Sequence, residues 1–295
     1  MATNAKVPYI KTEGAGNTCL VVHRKDFPGT DAALPDFVRA ICAKDATACD
    51  QLLLVQSTSP LSFDIWNADG STSKMCGNGS RAILRLAEED GWLKQESAQP
   101  GSKVELTVSG RAISAERLKA PGSYEVNLGQ PNVSARADAI FDGIRVPYWP
   151  VDIGNQHAVL FCGTRQGDWK LPPGFSLALW GLKLCDSLNR NIEFVLNVGT
   201  KDDARAKRQV ALGHKRPEHP YLQVLVWEIG AGPTLACGSG AVAVAAAWQK
   251  RNKSLQPQFT VEMGGGVLEV RLTPFGGFLS GPSSILERGE FAYVS

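Results

Sequence analysis

The sequence lacks the features that define several classes of protein. Its longest glycine-free apolar run, Ala241 to Trp248, is far shorter than the roughly 20 residues of a membrane-spanning helix. The first residues contain no apolar segment typical of a signal peptide, and a net charge of +2 gives no reason to bind nucleic acid or an anionic membrane. We therefore expect a soluble, cytoplasmic protein with no nucleic-acid and no membrane partner.

Signs of a metal site, a disulfide framework or a bound cofactor are also missing. The seven cysteines include no Cys-x-x-Cys pair, and the four histidines form no tight cluster with them. An odd number of cysteines in a chain without an export signal favours free thiols. Because a dinucleotide-binding fingerprint, a P-loop and an evident pyridoxal-lysine motif are absent as well, we expect no metal and no cofactor.

What the sequence does contain is an internal repeat. A tryptophan lies ten residues before each of two Cys-Gly-x-Gly sequences, which begin at Cys76 and Cys237. Upstream of each, a Gly-Asn pair that ends in Asn17 or Asn155 precedes a predicted strand. The order of these features is the same in both halves. With 295 residues, enough for about two domains, we predict two homologous halves joined near residues 122–131.

Local patterns place the repeat on strands and helices. Helices are predicted at 35–43, 79–89 and 239–250, and strands at 51–55, 61–66, 104–108, 148–153, 191–198, 221–227 and 259–263. The last helix is apolar on every face and rich in small residues. A helix of this kind is buried on all sides, so we expect it to pass through a curved sheet.

Cysteine at the start of a helix is a specific chemical arrangement. The first N–H groups of a helix lack partners and carry partial positive charge, which stabilises a thiolate and also suits a carboxylate. Cys76 and Cys237 would each supply one thiol next to backbone N–H groups that can bind an anion. Two such groups can invert a carbon atom next to a carboxylate, because one removes the α-proton and the other protonates the opposite face.

Two other readings of the paired cysteines stay open at this point. Cys76 and Cys237 could form a redox-active disulfide, or the turns could belong to an amino-acid binding module without catalysis. For the remaining cysteines the expected role is structural, because free cysteine is usually buried and inert; they are Cys19, Cys42, Cys49, Cys162 and Cys185.

Taken together, the motifs resemble the diaminopimelate epimerase family over nearly the whole chain. The resemblance rests on Gly14–Asn17, Asp50–Leu53, Asn67–Ser71, Cys76–Arg81, Gly154–His157, Asn191, Glu228 and Gly230–Gly240. It implies an α+β fold of two pseudosymmetric domains, each a curved, mainly antiparallel sheet or barrel around a central helix, with the site in the cleft. We expect domains at 1–125, completed by 281–295, and at 126–280.

The resemblance also implies roles for individual residues. Cys76 and Cys237 would be the acid–base pair, and His157 and Glu228 would tune the pKa of the two thiols. Substrate contacts would come from Asn17, Gln51, Asn67, Gly77, Asn78, Asn155, Asn191, Glu228, Gly238 and Ser239. The implied reaction converts L,L-diaminopimelate to the meso isomer for lysine and peptidoglycan synthesis. Assembly into a homodimer is left open.

Two departures from the family pattern bear on the substrate. Gln156 replaces the proline of the family's Gly-Asn-Pro-His, and Ile229 replaces an arginine that grips the distal carboxylate of diaminopimelate. Isoleucine cannot bind a carboxylate, so a racemase of another amino acid, such as histidine, is the alternative. Arg190, next to Asn191, is the nearest cation in the sequence that could replace the missing arginine.

Overall fold

A computed structural model describes residues 4–163, 165–199 and 219–294, so His214, one of the four histidines, lies outside the described residues. The chain divides into two compact units. Unit 1 comprises Met1–Asn127 and Ser280–Ser295, and unit 2 comprises Leu128–Leu279. Within the described residues, no helix is both long enough and apolar enough to cross a membrane.

Unit 1 is a mixed β-structure with two α-helices among its described residues. Its strands are β1 (Asn4–Gly14), β2 (Asn17–His23), β3 (Gln51–Thr58), β4 (Leu61–Asn67), β5 (Thr72–Ser73), β6 (Lys103–Val108), β7 (Arg111–Arg117), β8 (Tyr124–Asn127) and β19 (Ser284–Val294). The helices are α1 (Leu34–Ile41) and α2 (Gly77–Glu89). The C-terminal strand β19 pairs antiparallel with β1, which ties the end of the chain to its beginning.

Unit 2 has a similar composition of elements. Its strands are β9 (Asn132–Val133), β10 (Ala137–Phe141), β11 (Ile144–Asp152), β12 (Gln156–Phe161), β13 (Asn191–Gly199), β14 (Tyr221–Glu228), β15 (Gly232–Thr234), β16 (Gln258–Met263), β17 (Gly266–Thr273) and β18 (Gly276–Ser280), which ends at the unit boundary. The helices are α3 (Leu177–Leu188) and α4 (Gly238–Asn252).

The strand pairings follow one order in both units. In unit 1, β2 and β3 are parallel, β3 and β4 antiparallel, and β4 and β6 parallel. In unit 2, β12 and β13 are parallel, β13 and β14 antiparallel, and β14 and β16 parallel. The register also shifts at matching places, between Val55 and Ser57 in β3 and between Val195 and Asn197 in β13.

These pairings bring polar residues to one end of each sheet. Gln51 is the first residue of β3 and lies opposite Asn67, the last residue of β4. In unit 2, Asn191 begins β13 and Glu228 ends β14. The antiparallel partners therefore place amide and carboxylate side chains at the strand ends of each unit.

Helix α4 is enclosed in unit 2, as its apolar sequence predicts. Every residue from Gly238 to Ala247 is buried. The neighbouring backbone approaches closely, since a Cβ atom on Gly277 would lie 2.3 Å from Cγ1 of Val242. Small residues on the helix and glycine on the strand thus make the close packing sterically possible.

Helix α3 is an element that the sequence patterns did not indicate. Ser176 caps its start by accepting the N–H of Leu179, and Trp180 and Leu184 pack into the core of unit 2. Gly181 in its centre lowers the helix propensity. The glycine is needed there, because a Cβ atom would lie 2.6 Å from the ring of Trp227.

Candidate active site

Cys76 is the residue that caps the start of α2. Its backbone is extended (φ −141°, ψ 104°), and its Sγ accepts the N–H of Gly79 at 3.1 Å. A Cβ atom on Gly79 would lie 3.2 Å from this sulfur and 3.0 Å from Cδ2 of Leu53. The glycine therefore lets the N–H groups of the first turn approach the thiol directly, where the helix dipole stabilises negative charge.

A second thiol lies beside Cys76. The amide oxygen of Asn17 is 3.9 Å from Sγ of Cys76 and 3.6 Å from Sγ of Cys19. A hydrogen bond to Cys76, together with burial, raises the pKa of the Cys19 thiol well above its usual range. The thiols of Cys19 and Cys76 thus lie at the same amide oxygen of Asn17, an arrangement that the sequence did not predict.

The other predicted substrate contacts of unit 1 cluster at the same strand ends. Nε2 of Gln51 donates to Oδ1 of Asn67 at 3.0 Å, and Nδ2 of Asn67 donates to Oγ of Ser71 at 3.0 Å. Asn17 is buried and reaches the Asp50 carboxylate at 3.4 Å. Gly77 and Asn78 form the first turn of α2 and are buried. Asn17, Gly77 and Asn78 therefore lie next to Cys76, while Gln51 and Asn67 lie at the neighbouring strand ends.

Cys237 caps the start of α4 in the same way. Its Sγ accepts the N–H of Gly240 at 3.3 Å and lies 3.4 Å from Oγ of Ser239. Its backbone N–H donates to Sδ of Met263 at 3.3 Å. Burial, followed by the negative charges of Glu228 and Glu193, raises the pKa of the Cys237 thiol well above its usual range.

His157 and Glu193 form a buried pair beside Cys237. Both side chains are fully buried, and Nδ1 of His157 lies 2.6 Å from Oε1 of Glu193. Glu193 was not recognised in the sequence. The signal was available, because alternate residues of a strand share one face and Glu193 is two residues beyond Asn191.

The remaining predicted contacts of unit 2 surround this pair. Nδ2 of Asn155 lies 3.5 Å from Oγ of Ser239, and the backbone N–H of Ile229 donates to Oδ1 of Asn191 at 3.0 Å. Thr234 donates its hydroxyl to the Glu228 carboxylate. Burial raises the pKa of the Glu228 carboxyl, although hydrogen bonds from Thr234 and Cys237 oppose the rise. Gly238 begins α4 and is buried.

The ligating atoms of His157, Glu193 and Cys237 lie within 4.8 Å of one another, a spacing that could also suit a metal ion. Two observations favour an acid–base cluster instead. The histidine is already bonded to the carboxylate through Nδ1. In unit 1, the strand positions that correspond to His157 and Glu193 hold Cys19 and Leu53. The helix of unit 1 is nevertheless capped by a thiol, that of Cys76, without a histidine and a carboxylate at these positions.

Comparison with known proteins adds an independent line of evidence. The model of the family described as diaminopimelate epimerase matches residues 9–132. O-ureido-serine racemase of Streptomyces lavendulae is 28% identical over 316 residues, covering 100% of this chain and 99% of the relative. A diaminopimelate epimerase of a Synechococcus species is 29% identical over 291 residues, covering 92% of each.

A solved structure extends the likeness to the fold. The hydroxyproline epimerase of Agrobacterium vitis superposes with a TM-score of 0.72 at 13% sequence identity, covering 99% of this chain and 94% of that one. With the named relatives, the fold and the two capping thiols define an amino-acid epimerase or racemase. Within that class, the chain is similar to the diaminopimelate epimerase family, through the family model that matches residues 9–132 and through relatives of that name.

Proposed function

We propose that the protein inverts the α-carbon of a free amino acid with two thiols and without a cofactor. The observation that carries the proposal is the matching position of Cys76 and Cys237, each of which caps a buried helix and accepts an N–H from its first turn. A single base cannot serve both faces of a carbon without releasing the intermediate, so two groups are needed for inversion.

The reaction is a transfer of two protons. One thiolate takes the proton from the α-carbon, and the electron pair of that C–H bond is delocalised onto the substrate carboxylate. The other thiol gives its proton to the opposite face and becomes the thiolate. Helix N–H groups can stabilise the charge that develops on the carboxylate.

For the side chain of the substrate, we favour an uncharged or cationic group. Ile229 lines a cavity of about 520 Å³ in unit 2, together with Asp186, Glu228 and Trp227. Among the residues that the structure describes, the lining of this cavity includes two carboxylates and no lysine, arginine or histidine side chain. Arg190 donates instead to the side chain of Gln156. A distal carboxylate placed in this cavity would have no cationic partner among the described lining residues, and an unpaired carboxylate costs several kcal/mol when it is desolvated.

The relative that matches the chain end to end supports this preference, because its name specifies a racemase of O-ureido-serine, an amino acid with an uncharged side chain. L,L-diaminopimelate is the second candidate. It is favoured by the family model and by relatives named for that reaction at 27–29% identity.

A panel of amino acids in D₂O tests the function. Each candidate is incubated with the enzyme without added cofactor, and loss of the α-proton signal is followed by NMR while chiral chromatography follows inversion. The panel contains O-ureido-L-serine, L-histidine, L-lysine, L-glutamate and L,L-diaminopimelate. We expect exchange together with inversion for an uncharged or cationic substrate. Disulfide formation without any exchange would instead support a redox protein, and binding without exchange a binding module.

A further inference from the structure

Two thiols of unit 1 converge on one side chain. The sulfur atoms of Cys19 and Cys76 lie 3.6 Å and 3.9 Å from Oδ1 of Asn17, and each thiol donates to that oxygen. The two thiols also lie within hydrogen-bonding reach of each other. Cys19 lies on β2, whereas Cys76 caps α2. The fold therefore brings together two cysteines that are distant in the sequence.

The strand position of Cys19 faces the helix-capping residue in both units. Cys19 pairs with Gln51, the first residue of β3, just as His157 pairs with Asn191, the first residue of β13. In unit 2, a ring nitrogen of His157 lies within 4.8 Å of the Cys237 sulfur. A side chain at this position thus reaches the sulfur that caps the helix. In unit 1 that side chain is itself a thiol, which can bond covalently to the capping sulfur.

The two thiols of unit 1 differ in their exposure. Cys19 is 1% exposed, whereas Cys76 is half-buried. Cys76 also accepts the N–H of Gly79 at the start of a helix, where backbone N–H groups favour the reactive thiolate form. An oxidant that enters from solvent therefore reacts first with Cys76. The buried Cys19 is left as a thiol that can react with the oxidised sulfur.

We propose that Cys19 and Cys76 form a disulfide when a hydroperoxide oxidises Cys76, so that Cys19 is the resolving thiol of a modification site within unit 1. The bond takes Cys76 out of reaction and protects its sulfur from irreversible oxidation. This inference goes beyond the proposed function, because it concerns the fate of one thiol and not the inversion of a substrate.

The chemistry consumes one hydroperoxide for each disulfide. The Cys76 thiolate attacks a peroxide oxygen, the O–O bond breaks, and the sulfur becomes a sulfenic acid while water or an alcohol leaves. The sulfur of Cys19 then attacks the sulfur of Cys76, an S–S bond forms, and the hydroxyl group leaves with the Cys19 proton as water. Two thiols are thereby oxidised and one peroxide is reduced. A dithiol reductant reverses the bond by thiol–disulfide exchange.

The other two cysteines of unit 1 have different surroundings. Cys42 and Cys49 are buried in a hydrophobic cluster that includes Phe37 and Leu52. The Cys49 thiol donates to the backbone carbonyl oxygen of Thr47 at 3.7 Å. These two thiols therefore serve as internal references, because each is a buried cysteine of the same unit outside the pair at Asn17.

The test maps disulfides in the full chain after oxidation. The reduced protein is exposed to hydrogen peroxide without substrate, the remaining thiols are blocked with iodoacetamide, and a tryptic digest is analysed by mass spectrometry without reduction. Cleavage after lysine and arginine places the four cysteines of unit 1 on four different peptides. We expect the main cross-linked product to join peptide 12–24, which contains Cys19, to peptide 75–81, which contains Cys76. Dithiothreitol should release both.

The variant Cys19→Ala removes the resolving thiol and keeps Cys76. Without a second thiol, the sulfenic acid reacts with further peroxide to a sulfinic acid, which dithiothreitol does not reduce. At the same dose of peroxide, we expect the fraction of Cys76 that dithiothreitol recovers to fall at least about threefold. Cys42→Ala is the matched control, because it removes a buried thiol of unit 1 from outside the pair. Its cross-link and its recovery should equal those of the wild type.

Three results would overturn the proposal: a wild-type Cys76 that forms no bond to Cys19, a Cys76 that is bonded mainly to another cysteine such as Cys237, or a folded Cys19→Ala protein whose Cys76 is recovered as fully as in the wild type. If Cys19→Ala does not fold, the peptide map of the wild type still decides. The map needs no turnover. Lack of α-proton exchange with every amino acid would count against the proposed function and leave the map unchanged.

Discussion

At the residue scale, Ile229 is the position on which our proposal for the substrate side chain depends. Its side chain is 47% exposed, and its backbone N–H is held by Asn191. The position is thus fixed by the backbone, while the side chain is free to vary. A longer, charged side chain can be introduced here without disturbing the core, which makes the residue suitable for a test of specificity.

The variant Ile229→Arg should gain activity with a substrate that carries a distal carboxylate. A guanidinium can bind a carboxylate through two hydrogen bonds. We expect kcat/KM for L,L-diaminopimelate to rise at least about tenfold, equivalent to roughly 1.4 kcal/mol, while kcat/KM for L-lysine falls. Ile229→Met, of similar size and without charge, is the control. Efficient turnover of diaminopimelate by the wild type, unchanged in Ile229→Arg, would refute our account of the substrate side chain.

At the element scale, the two helices that carry the thiols could be predicted from sequence, whereas α3 could not. The Cys-Gly-x-Gly turns mark the starts of α2 and α4, because cysteine caps and glycines admit the N–H groups. Gly181 weakens the helical pattern of α3. It is present because Trp227, which lies on β14, leaves no room for a side chain there. A contact between distant segments leaves no signal in the local pattern.

Helix α4 should tolerate no increase in volume on its buried faces. Ala243 is fully buried within a helix that is enclosed on all sides. We expect Ala243→Leu to lower the free energy of unfolding by about 1–3 kcal/mol, because overpacking forces strained rotamers and backbone shifts. Lys250→Leu, at an exposed position of the same helix, should change it by no more than about 0.5 kcal/mol. Urea unfolding followed by circular dichroism measures both; equal effects would contradict enclosure of the helix.

The site itself was only partly readable from the sequence. Cys76, Cys237 and the asparagines stood out because they occupy recurring motifs. Glu193 and Cys19 did not, because each lies on a strand and is buried near a thiol at the start of a helix. Their charge and hydrogen bonding can be assigned only once the strands are in register.

At the scale of the whole molecule, the matching order of strands around both thiols is the main support for a two-base reaction. Each unit presents a parallel pair, an antiparallel pair and a helix that starts at cysteine. The polar environments differ, with Gln51 and Asn67 in one unit and Asn191 and Glu228 in the other. This difference is expected if the two thiols take opposite roles on one substrate.

The most direct test of the central claim is the rate of stereoinversion in cysteine variants, measured with the amino acid that shows the fastest exchange. Cys76→Ala and Cys237→Ala should each lower kcat by at least about a thousandfold, and the double variant should be little worse, because groups that act as a unit are not additive. Cys42→Ala, which removes a buried thiol at the end of α1, is the control and should keep most of the activity. If either Cys76→Ala or Cys237→Ala, folded by circular dichroism, retains more than a few per cent of wild-type inversion, the two-thiol mechanism is wrong.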